Sequence, residues 1–484
     1  MPTRVQFSEA IEPLVQFIEE TDPSEIVDQA LTKLRHGVSI RTMLTASALA
    51  VTRSSDLPPG HHGGPLHPLV GIHALRHLVD RLDGEDRFLP ILQHVALSNK
   101  HIHQPAMGPY MLLDFEPVDA GGVEATKEAF FTAVGRGESN LADHYFLWLW
   151  DNVPPVEAFD LLLTVAIPKN VLDDHYFIFP SMTWRALDWL GHEYRPILMR
   201  PAVRYVTRYP TPPEIPEIEA LLDEYQLLTR PLRQQTGDDE TATIGRVGEA
   251  IGRCSDFTEI PPALAKAMAD GLSMEGTGEA LSIGAAGLFL RSLTGNPMDV
   301  HLHTSVNIRR YLVQMEGLSL RNKLLCLLLW HTGPEVRNTQ TRLAAAPQLD
   351  LQEVAALPYQ TQEELLDAMR DSIYQQPPTD WSTVSNLGQM RAVPEVRIPV
   401  NLAHQYVNCG YDEKAFIARL AEIVCHDNFT EMHAFKHHQA IIEEFYSTRE
   451  PWRWSHLVAG AQASAISFGK NMEIFEEAIE LLHA

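Results

Sequence analysis

Cysteine is scarce in this chain. The 484 residues hold four, Cys254, Cys326, Cys409 and Cys425, scattered and without a CxxC pair. That excludes a disulfide framework, and the four read as free thiols of a reducing cytoplasm. Long apolar runs are missing too. The longest, such as LLCLLLW at 324–330, fall far short of the roughly 20 residues that span a bilayer. The first residues, MPTRVQFSEAIEPLV, lack the basic start, apolar stretch and cleavage site of a signal peptide, so a cytoplasmic protein without a membrane partner is expected. Positive charge is also short. A net charge of −25 with no basic stretch argues against nucleic acid and anionic membranes as partners.

Familiar catalytic signatures are absent as well. There is no HExxH, no ExxH pair of the di-iron kind, no GxSxG elbow and no P-loop. The glycines of GLSMEGTGEALSIGAAG (271–287) follow a helical pattern rather than a strand, which speaks against a dinucleotide-binding loop.

What the chain does have is helix periodicity and histidine. Apolar residues recur at i, i+3, i+4 and i+7 in SEIVDQALTKLRHG (24–37), EATKEAFFTAVGRG (124–137), PEIEALLDEYQLL (216–228) and KAFIARLAEIV (414–424). Ser, Thr, Asp or Pro opens many such segments and Gly closes several. No run of alternating strands joined by NG or DG is present, so the fold class is all-α. Proline- and polar-rich stretches, YPTPPEIP and QQTGDDET within 206–241 and TGPEVRNTQT, QQPPTDWS and AVPEVRIP within 332–400, read as connectors. They predict an N-terminal helical half over 1–205, a joining segment over 206–241, and a C-terminal helical half over 242–484 with an irregular insertion at 332–400, together forming one compact unit.

The two halves resemble each other. At a constant offset of 234, GVSI (37–40) faces GLSM (271–274) and HPLVGIHALRHLV (67–79) faces HLHTSVNIRRYLV (301–313). His67 then lies on His301 and Arg76 on Arg310. Further on, AFDLLLTVAIPKNVLDDHYF (158–177) resembles AFIARLAEIVCHDNFTEMHAF (415–435) with one inserted residue, which puts His175 on His433, Asn170 on Asn428 and Asp173 on Glu431. The expected architecture is two pseudo-symmetric helical halves around a central metal and substrate site.

Four of the 22 histidines are thus paired across the repeat: His67 with His301, and His175 with His433. Neutral imidazoles projecting from several helices are a common way to build a metal site in a bundle, and four of them suit Fe, Zn, Mn or Cu. Asp173, Asp174 and Glu431 are placed to receive the second ring N–H of a ligand. Lys436, three residues beyond His433, and His456 are further ligand candidates. His73 and His77 match Asn307 and Tyr311 instead of histidines, so they are read as pocket residues. HHGG (61–64) and NKHIHQ (99–104) sit in turn-like contexts where surface histidines are the default. A zinc-dependent hydrolase, or a non-catalytic helical scaffold with structural histidines, stays open beside an oxidising metal enzyme.

HPLVGIHAL (67–75), HAFK (433–436) and the AEIV-to-HQAI pair of C-terminal helices resemble the questin-oxidase-like family, with its HPL-containing helix and late H-x-x-K helix. The resemblance implies a helical oxygenase that opens or cleaves a ring of an aromatic polyketide with O2 as co-substrate. It also implies one non-haem Fe(II) held by four histidines and a carboxylated lysine, here Lys436, with His456 as the alternative fifth ligand. His73, His77, Tyr176 and Trp184 then become substrate-facing, and Arg76 and Arg310 would hold a substrate oxyanion.

Overall fold

The computed structural model describes residues 3–55, 64, 66–108, 110–208, 214–292, 297–347, 349–375, 396–426, 431–469 and 473–484. His61 and His62, Asn428, and parts of the YPTPPEIP, QQPPTDWS and AVPEVRIP stretches lie outside them. Among the described residues the fold is all-α, as expected. Extended backbone pairs only at isolated bridges, Arg4 with Leu113 and Ser292 with Leu343.

The chain forms two compact units. The first comprises Met1–Glu214, Glu316–Asn322 and Glu473–Ala484, and the second Ile215–Met315 and Lys323–Met472. The change from first to second unit falls inside 206–241. Two later segments also belong to the first unit. Asn322 donates to the Asp160 carboxylate (2.7 Å), and the Glu473–Leu482 helix packs on Ile26–Arg35 and Leu89–His103.

Helix boundaries follow local chemistry, and the same boundaries recur. In the first unit Gly37, at φ +96°, closes the Ile26–Arg35 helix and Ser39 caps the next, Ile40–Ser54, by accepting from the Thr42 N–H. In the second, Gly271 at φ +109° follows Ile260–Ala269, and Ser273 caps Met274–Leu290 by accepting from Gly276 N–H. Glycine reaches this positive-φ region without a Cβ clash, and a serine cap satisfies an otherwise orphaned helix donor. In the sequence match of the two halves, Leu66–Leu78 falls on His301–Gln314, Pro155–Ala166 on Glu413–Val424, and His175–Leu190 on His433–Ser447, and each of these segments is helical.

Packing partners recur in parallel. The His67 helix lies on the Ile40–Ser54 helix and on the His175 helix, while the His301 helix lies on Met274–Leu290 and on the His433 helix. Downstream helices, Arg200–Val206 and Trp454–Ser467, pack on the His175 and His433 helices respectively.

Two local expectations need correction. Residues 332–400, read as irregular, contain helices Pro334–Thr339, Leu351–Ala356 and Gln362–Tyr374. The last is secured by a capping box, Thr361 with Glu364, and Thr361 was hidden within a polar stretch. NKHIHQ is not a turn either, since Leu89–His103 is helical through it. His101 is buried against the Met107 sulfur (3.1 Å) and His103 bonds the Asn99 carbonyl (3.0 Å).

Candidate functional site

All four repeat-matched histidines occupy the first turn of a helix. His175, His301 and His433 are first residues of theirs, and His67 is second in Leu66–Leu78. Each is 2–5 % exposed.

In the first unit His67 and His175 meet edge to face, ring centroids 5.1 Å apart at 88°. Phe179, one turn on from His175, packs against both rings (5.4 and 4.8 Å). Asp173 Oδ1 accepts from His175 Nδ1 (2.7 Å) and from the His175 backbone N–H (2.9 Å), while its Oδ2 accepts from the Tyr205 hydroxyl (2.7 Å). The carboxylate thereby places a proton on Nδ1, which in the neutral ring leaves the lone pair on Nε2, the arrangement a metal-ligating histidine needs. Burial, reinforced by Asp173, raises the Tyr205 hydroxyl far above its ordinary range, so it stays protonated as a donor. Beside this pair the wholly buried His94 bonds the Pro68 carbonyl (2.9 Å), and burial pushes it down to about 4. Lys169, also fully buried, donates to the Val206 carbonyl, and burial pushes its amine down to about 8.

In the second unit His301 and His433 lie with ring centroids 4.9 Å apart at 53°. His301 Nδ1 donates to the Met298 carbonyl (2.8 Å), which in the neutral ring leaves the lone pair on Nε2 as well. A carbonyl oxygen can only accept, which settles the tautomer. Glu431 and Met432, immediately before His433, both hold left-handed backbone, φ +49° and +68°. Two consecutive non-glycine residues in that region are strained, and they set the entry of the His433 helix. Lys436, one turn further, is buried, and desolvation pushes its amine down to about 7 against an opposing pull from Glu431.

His456 stands elsewhere in this unit. Its ring is 5.5 Å from His303, which is 5.0 Å from His437, and His437 Nε2 lies 3.2 Å from His303 Nδ1. His456 Nε2 bonds Thr448 Oγ1 (3.2 Å). Burial pushes His437 down to about 3 and His456 to about 4. Next to them Glu444 is buried yet ionised. Desolvation would raise its pKa, but Arg310, His456, Ser282 and Asn307 outweigh it.

The remaining candidates separate. Arg310 donates to Glu444, to Ser447 Oγ (3.0 Å) and to the Ser447 carbonyl (3.0 Å), so it holds the His301 helix to the His433 helix and is not directed at a substrate oxyanion. His73 and His77 are half-buried and face each other, centroids 5.0 Å apart, with Arg76 half-buried on the same helix. Trp184 is a core residue whose ring stacks on Phe159 (4.4 Å, 10°) and on Trp150 (6.0 Å). Tyr176 is buried against the Tyr205 ring (4.8 Å). Neither is a substrate-facing surface in these contacts.

Sequence reasoning missed Tyr205, His94, Lys169, His303 and Glu444. His303 is two residues from His301 and so projects from the other side of its helix, away from the face on which the repeat drew attention. His437, at i+4 from His433, and His456, already a ligand candidate, were the available signals of that second cluster. Comparison of the chain with protein-family models, with curated proteins and with solved structures finds no match.

Proposed function

We propose that the protein is a histidine-ligated, metal-dependent oxygenase, with Fe(II) as the metal, acting with O2 on an electron-rich aromatic ring. The observation that supports it best is the recurrence of one arrangement in each unit: two buried histidines in the first turns of adjacent helices, one of them with Nδ1 committed to an oxygen acceptor. His67 and His175 in the first unit, and His301 and His433 in the second, are the ligand candidates, and Lys436, buried and readily neutral, is the added one. When bound, such an iron supplies O2 activation. The chain's own part is to fix the orientation of the imidazoles through Asp173 and the Met298 carbonyl, and to exclude water with Phe179 and its apolar neighbours.

Metal analysis of the purified protein together with O2 uptake on hydroxylated polycyclic aromatics tests this. Stoichiometric iron, lost in His67→Ala and in His433→Ala with helix content retained, is expected. Zinc without O2 uptake would favour the hydrolase reading, and a metal-free protein would overturn both.

A further inference from the structure

The first unit contains a cavity of about 120 Å³ whose lining includes the apolar Val51, Leu66, Leu112 and Pro201. The same lining includes the basic Arg204 and Arg208 and the hydroxyl-bearing Ser55, Tyr110 and Tyr205. A cavity of roughly 150 Å³ holds one benzene molecule, so this space is sized for at most one six-membered ring. The arginines are braced by aromatic faces. Arg204 lies over Tyr110 (5.7 Å) and donates to Asn140 Oδ1 (2.7 Å), and Arg208 lies over Tyr205 (5.4 Å). Planar guanidinium groups fixed in this way suit a planar anion.

The cavity also shares two walls with the histidine pair. Leu66 immediately precedes His67, and Tyr205 packs on Phe179 (5.1 Å) while its hydroxyl bonds the Asp173 carboxylate that orients His175.

We propose that this cavity is a subsite for one aromatic ring bearing a carboxylate or phenolate, with Arg204 and Arg208 as its anion-recognising groups. Tyr205 forms the wall between the ring and the Asp173–His175 pair. This deepens the oxygenase reading by naming the acidic ring as the feature of the substrate that is recognised. Binding itself requires no metal.

Titration calorimetry with salicylate, on the protein as purified and after chelator treatment, reads the site directly. Salicylate is expected to bind in both states. Its neutral isostere 2-hydroxybenzyl alcohol should bind about tenfold more weakly or worse, as loss of a charge-assisted contact predicts. Arg208→Gln and Arg204→Gln should each weaken salicylate by about tenfold with circular dichroism and bound iron unchanged. Leu112→Trp, which fills the cavity, should abolish binding in a folded protein. No salicylate binding, equal affinity for acid and alcohol, or wild-type affinity in both folded arginine variants would overturn the proposal. Salicylate binding retained in a His67→Ala protein that has lost its iron supports it and separates it from the metal assignment.

Discussion

Asp173 serves three groups at once: the ring and the backbone N–H of His175, and the hydroxyl of Tyr205. Removing it frees the His175 tautomer and leaves a buried phenol without its acceptor. Asp173→Ala should therefore weaken metal affinity by about 10- to 100-fold, measured by chelator competition, while His67 and His175 remain in place. Arg310 makes the opposite case, a residue whose worth is structural. With Arg310 and Glu444 both buried, Arg310→Met strands a carboxylate away from water and should cost about 3–5 kcal/mol in denaturant unfolding. Arg310→Met, Glu444→Gln together should recover much of that loss, since no charge is then left buried and unpaired. Repeat matching identified Arg310 by position. Its partner was invisible, because Glu444 lies 134 residues away and only packing brings them together.

At the scale of elements, the second unit depends on one close helix crossing. Thr241–Arg253 meets Met274–Leu290 through glycines: a Cβ on Gly248 would come within 2.8 Å of Ile283 Cβ and 2.9 Å of the Ala280 carbonyl, and Gly287 would meet the Gly252 Cα at 3.0 Å. Backbone cannot yield as a flexible side chain does, so Gly248→Ala should destabilise by roughly 1–3 kcal/mol despite the better helix propensity of alanine. Chemical denaturation of the variant checks this. The glycine-rich pattern read as helix was legible, and its purpose was not, because spacing along one helix does not reveal which surface it approaches. Thr361 supplies a second element-level test. Thr361→Ala removes the cap of Gln362–Tyr374 and should cost about 0.5–2 kcal/mol in denaturant unfolding.

At the scale of the whole molecule, neutral buried histidines set the pH response. His94 and His456 are held near 4, below the 6.5 of an exposed imidazole, because burial disfavours the charged ring. The unfolded chain therefore binds more protons than the folded one between pH 6.5 and 4. Stability is fully present above 6.5 and falls as the pH drops through that window, by at most about 1.4 kcal/mol per pH unit for each histidine. Urea unfolding midpoints should fall steeply from pH 7 to pH 5, and His94→Gln should flatten part of that slope. A midpoint that is constant across this range would contradict the buried, neutral assignment. No helix among the described residues is long and apolar enough to cross a membrane.

The sequence by itself determined the helical class and the caps that start many helices, since periodicity and capping are written along the chain, and matching its two halves singled out four histidines. Only the tertiary structure decided which of those histidines touch within a unit, that Asp173 and Tyr205 stand behind His175, that His456 belongs with His303 and His437, and that Arg310 is taken by Glu444. Those outcomes depend on contacts between residues far apart in sequence, and the energies that select them, burial and the pairing of charge away from water, arise only once the helices have packed.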